Sequence, residues 1–150
     1  MQATYRVLAY IIAGLVVLQA VWIALSSFTV IKAVDAGRTI NEDSAGIGGA
    51  LHGVGGMYAI PLVTLALLVV SFFAGVRGGV KWALFILLAV AVQITLAFLS
   101  FGVPQIGALH GLNAFVIIAL SVIAGLRAGR QLGTARTPAQ PAEPVDRLVA

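Results

Sequence analysis

Four stretches of this chain carry no Asp, Glu, Lys or Arg: Val7 to Ile31, Leu51 to Val76, Trp82 to Val103 and Ile106 to Leu126. Each is rich in Leu, Val, Ala and Ile, and each reaches the roughly 20 residues that cross about 30 Å of hydrocarbon as a helix rising 1.5 Å per residue. The apolar positions do not alternate, and the runs are too long for the strands of a membrane barrel. The fold class that follows is all-α, an integral membrane four-helix bundle with spans at about 7–31, 51–76, 82–103 and 106–126. The polar residues inside the spans are few: Gln19 in the first, His52 in the second, Gln93 in the third, His110 and Asn113 in the fourth, with hydroxyls between them.

The order of those polar residues repeats. The stretch LQAVWIALSSF (Leu18 to Phe28) corresponds to VQITLAFLSF (Val92 to Phe101), each with a Gln and a Ser-Phe end. The pentapeptide Gly-Ala-Leu-His-Gly then opens the second span at Gly49 and the fourth at Gly107, and these close on AGVRGG and AGLRAG. We read a duplicated helical hairpin, its copies related by a pseudo-two-fold along the membrane normal. The first copy holds sixteen more residues between its Gln and its His (Gln19 to His52, against Gln93 to His110), and this longer loop is where specificity on that face would reside.

Charge orients the bundle. Of the nine basic residues, seven (Arg6, Arg77, Lys81, Arg127, Arg130, Arg136 and Arg147) fall on one side of the spans, which the positive-inside rule places in the cytoplasm. Localisation to the cell membrane follows, multi-pass, with both termini cytoplasmic. Tyr5 and Trp82 are expected at the inner interface, Phe28 and Phe101 at the outer one. The 25-residue first run exceeds the h-region of a signal peptide and is read as a retained helix. Residues 1–127 form the transmembrane domain, and the Ala, Pro and Arg-rich segment 128–150 is expected to be a disordered cytoplasmic tail. Although the net charge is +4, the basic residues form no patch interleaved with aromatics, so nucleic acid is not an expected partner. There is no cysteine, which removes disulfides and thiolate metal sites.

Both histidines begin helices that descend from the outer face. His110 lies about 25 Å of helix before Arg127, whereas His52 lies about 37 Å before Arg77, so a straight second span would lift His52 to the headgroups. A tilt, a kink at Pro61 or a helix ending near Ala74 would bring the two depths together. Small residues surround each ring, Gly48, Gly49, Gly55 and Gly56 on one side and Gly107, Asn113 and Ala114 on the other, with Gly49/Gly53 and Gly107/Gly111 in small-xxx-small spacing. Bare backbone beside an imidazole accommodates either another helix or a flat cofactor.

The residues leave several readings open. In the first, the chain is a structural or accessory membrane subunit and not an enzyme. Gln19 and Gln93 make interhelical hydrogen bonds at mid-depth, and the His pair does so above them. In the second, His52 and His110 are the axial ligands of one haem b on the outer side, with Gly49, Gly56, Gly107, Gly111 and Asn113 around the macrocycle and Lys32 and Arg38 on its propionates. One His pair builds no two-haem relay, so electrons would pass to a quinone or an outer-face partner. A third joins both histidines to Glu42 or Asp43 as a Zn or Cu site. A transporter would need buried acids and matched broken helices, and only Pro61 points that way.

The four spans, the short inner turn, the charged first outer loop and Leu-His-Gly at the start of spans two and four resemble a family of small bacterial four-helix membrane proteins of unknown function, over residues 5–127. The helical His pair is also similar to that of bis-histidine b-type cytochromes built as four-helix bundles, a resemblance that implies a haem. Those families often carry two His on one helix. Here each helix holds one, and Gln19 and Gln93 occupy the partner helices, which is consistent with a single outer haem only.

Overall fold

A computed structural model describes residues 1–134 of the chain. Helix α1 runs Gln2–Asp35. A single 3₁₀ turn, Glu42–Ala45, leads into α2 (Gly46–Val54), a π-wound turn (Gly55–Ala59) and α3 (Ile60–Ser71), after which come α4 (Gly79–Gly102) and α5 (Ile106–Thr134). The backbone stays right-handed helical from α2 through the π turn into α3, so these form one continuous rod. Four helices are therefore long and apolar enough to cross a membrane, and the described residues contain no strand.

The rods stand in a ring. Helix α1 packs on α5 and on the α2–α3 rod, and α4 packs on α5 and on α3, which leaves α1 opposite α4 and the α2–α3 rod opposite α5. The core down the middle is built of Ile12, Val16, Ile60, Leu67, Ile86, Val90 and Ile117 with alanines between, while Phe28, Phe72, Phe73, Phe101 and Phe115 stand outward. An outward apolar surface of this kind is what a helix bundle presents to hydrocarbon. Several hydroxyls on the helices return their proton to a carbonyl three or four residues back, as Thr64 does to Ile60 at 2.8 Å and Thr95 to Ala91 at 3.0 Å.

Two boundaries differ from the sequence reading, and both matter for the site. The second span was expected at 51–76 but its helix occupies residues 46–71, about 7.5 Å further along the axis. At its start, Gly46 turns the chain with φ of +57°, and Gly48 and Gly49 are poor helix formers taken alone, but tertiary contact holds these two helical. A Cβ on Gly48 would stand 2.6 Å from the Trp22 carbonyl oxygen and 2.7 Å from the Ser26 nitrogen, so only glycine lets α2 lie against the α1 backbone. At its end, the uncharged run continues, but the chain must reverse before α4, and Gly75 and Gly78 do so with φ of +62° and +72°. The π turn has its own cause. Pro61 sits in the first turn of α3 with no N–H and would press on the preceding carbonyl, and a widened turn carries the helix past it.

The last helix continues to Thr134, so residues 128–134, read from the sequence as the start of the tail, add two helical turns; the remainder of the expected tail lies outside the described residues. Tyr5 faces inward at the same end of the bundle as Trp82. It is fully buried and donates its hydroxyl to the Gly79 carbonyl at 3.0 Å, fastening α1 to the start of α4. Trp82 does lie at the basic end, where the Arg127 guanidinium stands 5.5 Å from its ring centre.

Candidate functional site: a histidine and carboxamide layer

The two histidines meet. His52 on α2 and His110 on α5 reach across the diagonal of the ring, their ring centroids 6.2 Å apart and their planes at 62°, edge towards face. The depth conflict raised by the sequence is resolved by the early end of α3: from His52 to Ser71 is about 28 Å of helix, close to the 25 Å from His110 to Arg127.

Each ring is held by the same device. His52 Nδ1 lies 3.1 Å from the Gln19 carbonyl oxygen, and His110 Nδ1 lies 3.0 Å from that of Gln93. A carbonyl only accepts, so Nδ1 donates in both rings and Nε2 of the neutral imidazole is left as an acceptor. For His110 the rest of the network agrees. Gln93 Nε2 is 3.2 Å from His110 Nε2 and donates to it, and Gln93 Oε1 accepts from Asn113 Nδ2 at 2.8 Å. Asn113 spends its second amide hydrogen on the Ala89 carbonyl, also at 2.8 Å. These four bonds join α4 to α5 through one circuit, in which His110 Nδ1–H and both Asn113 amide hydrogens have acceptors and Gln93 gives one amide hydrogen to His110.

The Gln and His residues, expected at two depths, thus form one layer, because the imidazole uses the backbone carbonyl of the Gln residue. The Gln19 side chain is 8% exposed, and neither its Oε1 nor its Nε2 has a hydrogen-bond partner among the described residues. It rests in the notch left by Gly55, where an added Cβ would collide with Gln19 Nε2 and come within 2.9 Å of Trp22.

The glycines divide into two sets. Gly48, Gly49, Gly55 and Gly56 face α1 side chains or backbone: Ser26 Oγ is 3.3 Å from a Cβ on Gly49, and Gln19 Oε1 is 3.7 Å from one on Gly56. Gly53 and Gly111 meet nothing within 4 Å and are exposed, and Gly107 touches only Ser100, at 3.8 Å. On the α2 side it is therefore helix α1 that occupies the space beside the glycines.

The charged candidates lie elsewhere. Lys32 is thirteen residues beyond Gln19 on α1, about 20 Å along the axis. With Arg38, Asp43, Thr29, Asn41 and Ser44 it lines a cavity of about 470 Å³ at the loop end. Among the described residues no three His, Cys, Asp or Glu side chains are placed to hold a metal ion, so Asp43 does not join the histidines; the Glu42 side chain lies outside what is described.

One feature escaped the sequence reading. The Ala89 carbonyl is an acceptor that no side-chain pattern announces. Gly55, by contrast, was legible: GALHGVG beside GALHGLN sets Gly55 against Asn113, the residue that completes the second circuit. No protein-family model, curated protein or solved structure matches this chain.

Proposed function

We propose that this chain is a multi-pass membrane protein whose two hairpins are locked together in the bilayer interior by the His, Gln and Asn layer, and that it serves as a structural or accessory membrane subunit and not as an enzyme. The observation that carries this is the repeated contact: each hairpin closes with an Nδ1–H donated to the carbonyl of its own Gln, and the two rings then meet on the diagonal. That arrangement is what a duplicated hairpin with a pseudo-two-fold along the bundle axis requires. The basic residues at one end, Arg6, Arg77, Lys81 and Arg127, support an orientation with that end and both termini in the cytoplasm. Hydrogen-bonded polar groups are retained in hydrocarbon because an unpartnered one there is costly, which suits a layer that fixes how the helices mate.

One observation favours a haem between the rings. Two imidazoles on one iron, each nitrogen about 2 Å from it, would hold their centroids near the 6.2 Å found here. The other features do not fit that group: His110 Nε2 already accepts from Gln93, α1 fills the glycine face of α2, and Lys32 is too far along α1 for propionates. The deciding experiment is the visible spectrum and metal content of protein purified in detergent from cells supplied with haem precursor. The lock reading expects a colourless, metal-free protein that His110→Ala destabilises. A Soret band lost in both His52→Ala and His110→Ala would replace it with the haem reading.

A further inference from the structure

The segment AGLRAG (Ala124 to Gly129), which closes the fourth span, takes no part in the histidine layer. At the basic end of the bundle it builds a cleft with the start of α1. Arg6 and Tyr10 stand one turn apart on α1, and Gly129 and Gly125 stand one turn apart on α5. The two pairs fit together. A Cβ on Gly125 would come within 2.7 Å of the Tyr10 ring, and one on Gly129 would stand 3.2, 3.3 and 3.4 Å from Cζ, Nε and Nη1 of Arg6. The guanidinium is also 5.7 Å from the centre of the Tyr10 ring, so bare backbone and an aromatic ring together orient it. Beside it lies a cleft of about 570 Å³, whose other walls include Ala3, Val7 and Leu132. That volume falls in the range of about 300 to 1,000 Å³ that holds small molecules. In the first copy of the motif, AGVRGG (Ala74 to Gly79), Gly75 and Gly78 turn the chain instead.

The charge in this cleft has no counter-charge near it among the described residues. Asp35 lies at the far end of α1, about 43 Å of helix from Arg6, and Glu42 and Asp43 follow it in the first loop. Arg77, Lys81, Arg127 and Arg130 add further positive charge at the end where Arg6 lies. We propose that the cleft between α1 and α5 binds the headgroup of an anionic phospholipid. The guanidinium fork matches two phosphodiester oxygens, and its place in the chain matches a lipid: Arg6 immediately precedes Val7, the first residue of the uncharged run, and so stands level with headgroups. From the phosphate the polar head extends towards Ala3 and Gly133, and the glycerol and acyl chains pass Val7 and Tyr10 into the hydrocarbon. A free phosphate would use the fork but leave the apolar walls bare. A zwitterionic head would bring its own cation towards five basic residues, whereas an anionic one is drawn to them. The proposal rests on the bundle lying in a membrane and not on the polar layer.

Native mass spectrometry of the full-length protein in detergent, with phosphatidylglycerol or phosphatidylcholine added at matched concentration, tests this. A single tightly held phosphatidylglycerol per chain is expected, with phosphatidylcholine much weaker. Arg6 is exposed, so Arg6→Gln leaves the core intact, and it should bind phosphatidylglycerol about tenfold more weakly, the size of one charge-assisted contact. Leu132→Trp fills the cleft with every charge in place and should weaken binding to a like extent. Lys81→Gln removes a charge at the same end but outside the cleft, and should change little. Equal binding of the two lipids, a loss in Lys81→Gln as large as in Arg6→Gln, or full binding by Leu132→Trp overturns the proposal. Lipid bound only by the variant Glu143→Gln/Asp146→Asn would make the chain's own carboxylates the occupant, and the proposal falls. Release from membranes by detergent but not by alkaline carbonate tests the membrane reading separately, so an embedded protein that holds no phosphatidylglycerol sinks the lipid site alone.

Discussion

Replacing Asn113 by Leu would remove one member of the circuit while keeping the number and branching of its side-chain heavy atoms. Asn113 makes two bonds, both at 2.8 Å, to the Ala89 carbonyl and to Gln93 Oε1. Interhelical side-chain bonds in a membrane average about 0.6 kcal/mol, so their direct loss is about 1.2 kcal/mol. The Ala89 carbonyl keeps its place in the α4 ladder, but Gln93 Oε1 loses its donor in the interior, adding roughly 1 to 3 kcal/mol. The expected cost of Asn113→Leu is therefore about 2 to 4 kcal/mol, most of it from the Gln93 oxygen left behind. Gln93→Leu removes that oxygen, and the double variant Asn113→Leu/Gln93→Leu should then fall short of the summed single costs by about 1 kcal/mol or more. Equilibrium unfolding in mixed micelles with rising dodecyl sulfate fraction, followed by Trp fluorescence, reads all four proteins of the cycle. Trp22 packs near Gly55 and Trp82 lies at the other end, so both regions report. A single variant costing less than about 0.5 kcal/mol, or singles that simply add, would refute the circuit as the element that joins α4 to α5.

Three further outcomes are expected. Gly48→Ala forces a Cβ to within 2.7 Å of α1 backbone atoms and should cost about 1 to 3 kcal/mol, while Gly53→Ala meets nothing and should be neutral or stabilising by up to about 1 kcal/mol; the same unfolding assay compares them. Tyr5→Phe loses one buried bond to the Gly79 carbonyl and should lower stability by about 1 kcal/mol, seen as a lower thermal midpoint with unchanged helix content. Because the chain has no cysteine, Thr39→Cys should label with an impermeant maleimide on intact cells and Ala150→Cys only after permeabilisation, and the opposite pattern would reverse the orientation argued from charge.

The helical bundle and the identity of its polar residues were legible in the sequence, because both depend on local quantities. An uncharged run of sufficient length can satisfy its backbone in hydrocarbon only as a helix, and a polar residue within such a run announces itself by contrast. Helix limits were less legible where packing opposed propensity. Gly46 to Gly49 read as loop until the approach of α1 is known, and Phe72 to Val76 read as helix until the turn through Gly75 and Gly78 is known.

What the sequence by itself determined is the layer's membership: Gln19, His52, Gln93, His110 and Asn113, two of each theme and one Asn without a counterpart. Only the tertiary structure decided how they meet. The ring order of the helices puts the histidines on a diagonal and 6.2 Å apart, and it turns the two Gln backbones, not only their side chains, into acceptors. The reason is physical: a side chain's chemistry is carried by the residue itself, but its hydrogen-bond partner is a matter of ångströms and direction, and a shift of five residues in where α3 ends is enough to bring His52 level with His110.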